Sequence, residues 1–144
     1  MPKKLYKDTP DGYPVCLHED CPRAGKCLHQ LAYQPLLERS HILQLLNPKR
    51  CTKDENCPNF RDSTPVKYAR GFIGMQKQMF PGQYDTFKSI LIHKFSRNPY
   101  FERRRGETAL SPNEQDIVLR ALRRAGVTTK LDFDSYEDNV NWYD

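Results

Sequence analysis

Five cysteines stand at positions 16, 21, 27, 51 and 57 of the 144-residue chain, and none follows. A uniform scatter would confine all five to that stretch about once in a hundred arrangements, so the cluster asks for a cause such as a metal site. Its spacing is nearly repeated: Cys16 to Cys21-Pro22 reads C-x4-C-P, and Cys51 to Cys57-Pro58 reads C-x5-C-P. Two such pairs can supply four thiolates to one tetrahedral ion, and soft sulfur ligands select zinc or an iron–sulfur cluster over calcium or magnesium. The expectation is one structural Zn2+ per chain held by Cys16, Cys21, Cys51 and Cys57. An iron–sulfur cluster ranks below it, as do unliganded thiols. Both intervals are looser than the usual C-x2-C knuckle. Cys27 is assigned to the core. On a helix opened at Pro22 it lies six residues past Cys21, roughly 240° around the axis and roughly 9 Å along it. A free cysteine on an apolar stripe behaves as a small hydrophobe. His18 and His29 are reserve ligands that read first as ordinary surface histidines.

Other chemistry is harder to find. A nucleophilic cysteine needs a base and an oxyanion site, and no local signature supplies them. The chain has no phosphate-cradling glycine loop and no H-E-x-x-H, so it is read as non-enzymatic. The second informative stretch runs from Lys94 to Gly106 and reads KFSRNPYFERRRG. Arg97, Asn98, Tyr100, Arg103, Arg104 and Arg105 form a set that could contact nucleic acid. Guanidinium groups bind phosphates or guanine edges, and aromatic rings stack on exposed bases. The plainer alternative is a solvated helix face with Phe101 in the core.

Charge supports a polyanionic partner. The net charge is +5, but every Lys and Arg lies at or before Lys130. Residues 66–130 carry 13 positive against 5 negative side chains, while Asp132, Asp134, Glu137, Asp138 and Asp144 crowd the last fourteen positions. A basic body with an acidic tail suggests nucleic acid, DNA or RNA, or screening of the body by its own tail. The tail's Phe133, Tyr136, Trp142 and Tyr143 could also dock a protein partner.

The elements that must position these residues are marked by proline and capping signals. A first helix is predicted from Pro22 to about Tyr33, with Ala24, Cys27, Leu28, Leu31 and Ala32 on one face. Leu36 to Leu46 fits neither period and stays open. Thr64-Pro65 starts a helix with Ala69, Phe72, Ile73 and Phe80 inward, which Pro81-Gly82 ends. Tyr84 to Phe95 is the next helix. The last has Ser111 as N-cap, Pro112 in the first turn, Glu114 completing a capping box, and Gly126 as its end. Val118, Ala121, Leu122 and Ala125 are its buried stripe.

The resulting fold class is mostly α: a small helical domain with a loop-rich, metal-binding section at the N-terminus. Three zones are expected: a cysteine-rich section over 1–62, a basic helical section over 63–130 and an acidic aromatic tail over 131–144. No apolar run approaches the roughly 18 residues of a membrane span. The opening stretch has Lys3, Lys4 and Lys7 with no apolar segment behind them, which is not the pattern of a secretory signal. A cytoplasmic, reducing compartment is expected, where cysteines are seldom paired.

Two resemblances add to this reading. Tyr100, Arg103 and Gly106, followed by Ser111-Pro112 opening a helix, loosely resemble the second half of a Cro/repressor-type helix-turn-helix domain. The small residue and glycine turn expected upstream are absent, with Ile92 and Ser96 nearby instead. Tyr13-Pro14, Cys21-Pro22, Cys57-Pro58, Arg103 to Glu107 with Gln115, and Phe133 to Trp142 together resemble a family of small uncharacterised bacterial proteins. That family is a domain of unknown function from gut Bacteroidetes. It implies a cytosolic bacterial protein and carries no activity. The function expected is a non-enzymatic, nucleic-acid-binding accessory or regulatory protein, and the alternative is a protein-interaction adaptor.

Overall fold

The computed structural model of the protein describes residues 8–143, so Lys3, Lys4, Lys7 and Asp144 lie outside the described residues. The chain is mostly α-helical and divides into two compact units. One comprises 66–139. The other comprises the described residues 8–65 together with 140–143, so the acidic tail is shared between them.

In the first-formed part of the chain, the single helix predicted from Pro22 is broken into three pieces. They are a 3-10 turn Ala24–Lys26, α1 (Leu28–Leu31) and α2 (Tyr33–Arg39). Cys27 separates the first two with an extended backbone, φ −95° and ψ 124°. Gly25 is a poor helix former within the turn, which fits this interruption. Leu28, Ala32 and Leu36 recur every four residues and bury one stripe, with Tyr13, Val15 and Trp142 completing the core. The Tyr13 hydroxyl donates to the Trp142 carbonyl at 3.1 Å, and the two rings meet edge to face at 4.9 Å. The undecided stretch enters α2 and then becomes irregular. Val15 and Leu45 form an isolated parallel bridge, with Val15 N–H donating to Gln44 O at 2.8 Å and Leu46 N–H to Val15 O at 2.9 Å.

The unit over 66–139 contains β1 (Val66–Arg70), α3 (Ile73–Gln76), α4 (Pro81–Phe95), α5 (Arg97–Arg105), α6 (Pro112–Arg124) and β2 (Ser135–Asn139). Here the helix predicted from Thr64-Pro65 is instead a strand followed by one helical turn. β1 pairs antiparallel with β2, in a register that sets Val66 opposite Asn139 and Arg70 opposite Ser135. Strand preference depends on the partner supplied by the fold, and here that partner lies in the tail. Gly71 turns the chain out of β1 with φ +78°, and a Cβ there would come within 2.7 Å of Asp134 Oδ2. That carboxylate accepts from the Ile73 and Gly74 amides, each at 2.9 Å, and so anchors the start of α3. Pro81-Gly82 opens α4 rather than ending a preceding helix, as suits proline in a first turn. The Phe80 amide donates to Gln83 Oε1 at 3.0 Å.

The last helix forms where its signals place it. Ser111 Oγ accepts from the Glu114 amide at 3.2 Å, Glu114 Oε1 accepts from the Ser111 amide at 3.4 Å, and Gly126 follows the end with φ +87°. Val118, Ala121 and Leu122 face a core shared with Phe72, Met75, Phe87, Leu91, Tyr100, Leu110 and Phe133. Among the described residues no helix is long and apolar enough to cross a membrane.

Candidate functional site

All five cysteines line one pocket, together with His18, Arg23, Asn59 and Phe60 among others. Irregular segments bring them there. Cys16 follows the Val15–Leu45 bridge, and its amide donates to His29 O at 3.0 Å. Cys21 N–H donates to His18 O at 3.1 Å, Cys27 bridges to Asp62, and Cys51 closes the 3-10 turn Pro48–Arg50. Arg23 lies over the Phe60 ring at 3.2 Å. Asn59 Nδ2 donates to Cys51 Sγ at 3.7 Å. Burial pushes the Cys16 thiol up; the nearby Cys51 and Cys27 sulfurs act in the same direction, against a backbone hydrogen bond from His18.

This geometry corrects the metal expectation. Among the described residues no group of three or more His, Cys, Asp or Glu side chains is placed to hold a metal ion. A tetrahedral zinc site needs its sulfurs about 2.3 Å from one common point. Cys16, Cys21, Cys51 and Cys57 line one pocket but form no such group among the described residues, so neither the structural zinc nor the iron–sulfur cluster is retained. The argument that set Cys27 apart also fails, because no continuous helix joins it to Cys21. Cys27 lines the same pocket as the others. Nor are the histidines ordinary surface groups. His29 is half-buried, stacks on Tyr13 at 5.0 Å and hydrogen-bonds through Nδ1 to Pro14 O at 2.8 Å, while His18 Nε2 meets Pro48 O at 3.1 Å.

The arginine–aromatic run lies on α5, and the structure disperses its six members. Tyr100 is fully buried, with Phe72 at 5.8 Å and its hydroxyl 3.3 Å from that of Tyr84. Its ring is core and cannot stack on a base. Arg103 is also buried, with Nη2 2.8 Å from Glu114 Oε2, Nη1 donating to Pro99 O at 3.2 Å, and its guanidinium over Phe95. Both residues are therefore corrected from contact candidates to structural ones. Arg104 is half-buried and held by Gln76 Oε1, and Arg105 is exposed but paired with Glu107 at 2.9 Å. Arg97 and Asn98 remain exposed at the start of the helix.

A different aromatic residue carries two cations, one exposed (Arg97) and one half-buried (Lys88). Phe101 is half-buried; Arg97 Cζ lies 5.7 Å and Lys88 Nζ 5.4 Å from its ring centre. Tyr100 supports the same ring from within, edge to face at 5.0 Å. Arg97 and Phe101 are one helical turn apart on α5, and Lys88 reaches over from α4. The reading from sequence missed Phe101 and Lys88. The i, i+4 spacing of Arg97 and Phe101 was the available signal, whereas the contribution of Lys88 depends on how α4 meets α5. The acids 132–138 belong to the same unit, which brings 66–139 to 13 positive and 9 negative side chains, a net of +4. Glu137 is committed to Arg70 at 2.5 Å and Asp134 to the start of α3.

A family model described as a family of unknown function (DUF6078) matches residues 1–142, and the chain belongs to that family. No curated protein and no solved structure matches the chain.

Proposed function

We propose that this member of a family without an assigned activity is a non-enzymatic accessory protein that binds the phosphate backbone of nucleic acid through Lys88, Arg97 and Asn98, arranged around Phe101. The observation that carries the reading is the pair of cations over one half-buried ring, neither of them in an ion pair among the described residues. Cation–π contact with Phe101 keeps both charges close together on one face while leaving them open to an anion. Asn98 adds an amide that can donate to a phosphate oxygen. Nothing in this arrangement reads base edges, so the affinity is electrostatic and indifferent to sequence.

The test is a salt titration of the full-length protein with labelled DNA and RNA oligonucleotides. Affinity should fall log-linearly with salt, and Lys88→Ala and Arg97→Ala should each reduce the slope by about 0.7 to 0.9 while leaving the helical signal unchanged. An unaltered slope in both variants would place the contact elsewhere, and no salt-sensitive affinity at low ionic strength would end the nucleic-acid reading. The adaptor alternative draws on the exposed aliphatic side chains of the other unit, Leu17, Leu31, Leu37, Leu45 and above all Ile42 at 85% exposure. Its signature is an affinity for a protein partner that barely responds to salt.

A further inference from the structure

The β1–β2 ribbon has an open edge, and the hydrogen bonds of β1 show which groups lie along it. In an antiparallel pair the N–H and C=O of one residue point to the same side, and successive residues alternate. Ala69 uses both groups on Leu110, donating at 3.0 Å and accepting at 2.7 Å, and the Lys67 carbonyl accepts from the Gln115 side chain at 2.8 Å. Lys67 and Ala69 therefore face away from β2. The ladder bonds are left to Val66, Tyr68 and Arg70, whose partners are Asn139, Glu137 and Ser135. On β2 the same alternation turns the N–H and C=O of Tyr136 and Asp138 outward. Both residues are exposed, and none of these four groups has a partner among the described residues. Leu110 bridges the far side of β1, but among the described residues no strand covers β2.

We propose that this edge takes an extended basic peptide from a partner protein as a third strand. Main-chain hydrogen bonds supply the affinity in strand addition, and the side chains on either side of them supply the choice of occupant. Tyr136 and Asp138 stand on one face of β2. Lys67 is opposite Asp138 in the register, and its Nζ lies 5.4 Å from the Tyr136 ring centre. Glu137, on the other face, is paired with Arg70, whereas Asp138 is in no ion pair among the described residues. A Lys or Arg placed opposite Asp138 on the incoming strand gives that carboxylate a partner along the edge. Two positions away, on the same face, the incoming side chain meets Tyr136. That ring lines a cavity of about 360 Å³ whose other walls include Leu122, Val127, Leu131 and Phe133, so an apolar side chain suits this second position. A second copy of the chain is the wrong occupant. The symmetric pairing that uses all four outward groups of each copy sets Glu137 opposite Glu137, and like charges directly opposite are destabilising. Charges on an edge strand guard against self-pairing of this kind. The proposal does not involve Lys88, Arg97 or Asn98, so it and the nucleic-acid reading stand or fall separately.

The experiment follows amide exchange residue by residue, by NMR, in the full-length protein. The probe is a short synthetic peptide with lysine and valine alternating along one face and threonine along the other. In the free protein the Tyr136 and Asp138 amides should exchange faster than the Glu137 amide between them. Adding the peptide should slow those two and change Glu137 little. Replacing the peptide's lysines with glutamate, or methylating the backbone nitrogens that face the protein, should weaken binding about tenfold or more. Asp138→Lys should weaken it similarly, with the ribbon checked by unchanged Glu137 protection. The inference is overturned if Tyr136 and Asp138 are already as protected as Glu137, if the peptide leaves their exchange unaltered, or if the glutamate or methylated peptide binds equally well. Slowing of the two amides with rising protein concentration alone would also overturn it, by making a second copy the occupant. The peptide variants act on the unaltered protein, so they decide the matter even if Asp138→Lys fails to fold.

Discussion

Arg103→Ala is expected to damage the fold rather than a binding surface. The side chains of Arg103 and Glu114 are 5% and 10% exposed, and two guanidinium nitrogens lie 2.8 and 2.9 Å from Glu114 Oε2. Removing the arginine leaves the carboxylate buried without its cation, which typically costs about 3–5 kcal/mol. With a urea dependence of roughly 2 kcal/mol per molar, the unfolding midpoint should fall by about 2 M. Glu114→Gln is the informative partner, since glutamine still completes the capping box with Ser111 while losing the charge. The double variant Arg103→Met/Glu114→Gln should recover most of the loss, because a neutral pair needs no buried counter-charge. The assay is urea unfolding followed by circular dichroism on the unaltered protein and these three variants. A midpoint within about 0.5 M of the unaltered protein in Arg103→Ala, together with lost affinity for nucleic acid, would refute the structural assignment.

Tyr100 and His29 give sharper tests of their surroundings. Tyr100→Ala should cost about 3–5 kcal/mol as a core truncation. Tyr100→Phe, which gives up only the hydroxyl contact with Tyr84, should cost about 1 kcal/mol and leave nucleic-acid affinity intact; thermal melts and the salt titration check both. Burial holds His29 below its ordinary 6.5, with Arg61 acting in the same direction and the Pro14 hydrogen bond opposing it. The unfolded chain therefore takes up the proton at higher pH than the folded one, and stability should decline as pH falls through 6.5 until the lower folded value is passed. Urea midpoints at about pH 7.5 and about pH 5.5 should differ more in the unaltered protein than in His29→Gln, and equal differences would remove His29 as the cause.

What was legible in the sequence was local. The Ser111–Glu114 box and the Gly126 stop lie within the helix they define, so they place α6 without reference to any other segment. What was missed depended on distant partners. β1 looks helical until β2, which begins 69 positions after β1 does, supplies its hydrogen bonds. Tyr100 and Phe101 are adjacent, about 100° apart on the helix, so only one can point fully inward. Phe72 and Tyr84 decide the matter, and no local pattern around Tyr100 reveals them. The cysteine cluster was read as a metal site, but although all five residues line one pocket, no group among the described residues is placed to hold an ion. Spacing could not show how the sulfurs would be arranged, because the backbone at Cys27 and Cys51 is extended rather than helical.

The hydrogen bond between Tyr13 and residue 142 spans 129 positions, and its consequence is temporal. Residues up to 65 leave the ribosome first but cannot close their own hydrophobic centre, because Trp142 is part of it. The segment 66–139 has its two ends already paired, Val66 to Asn139. At roughly 5–20 residues per second, the earlier section waits roughly 4–15 s for its final aromatic side chain. The part made second is thus complete before the part made first. During that interval Tyr13, Leu28 and Leu36 lack their last neighbour. Removal of residues 140–143 would strike the core of Tyr13, Leu28 and Leu36 harder than the adjacent segment 66–139.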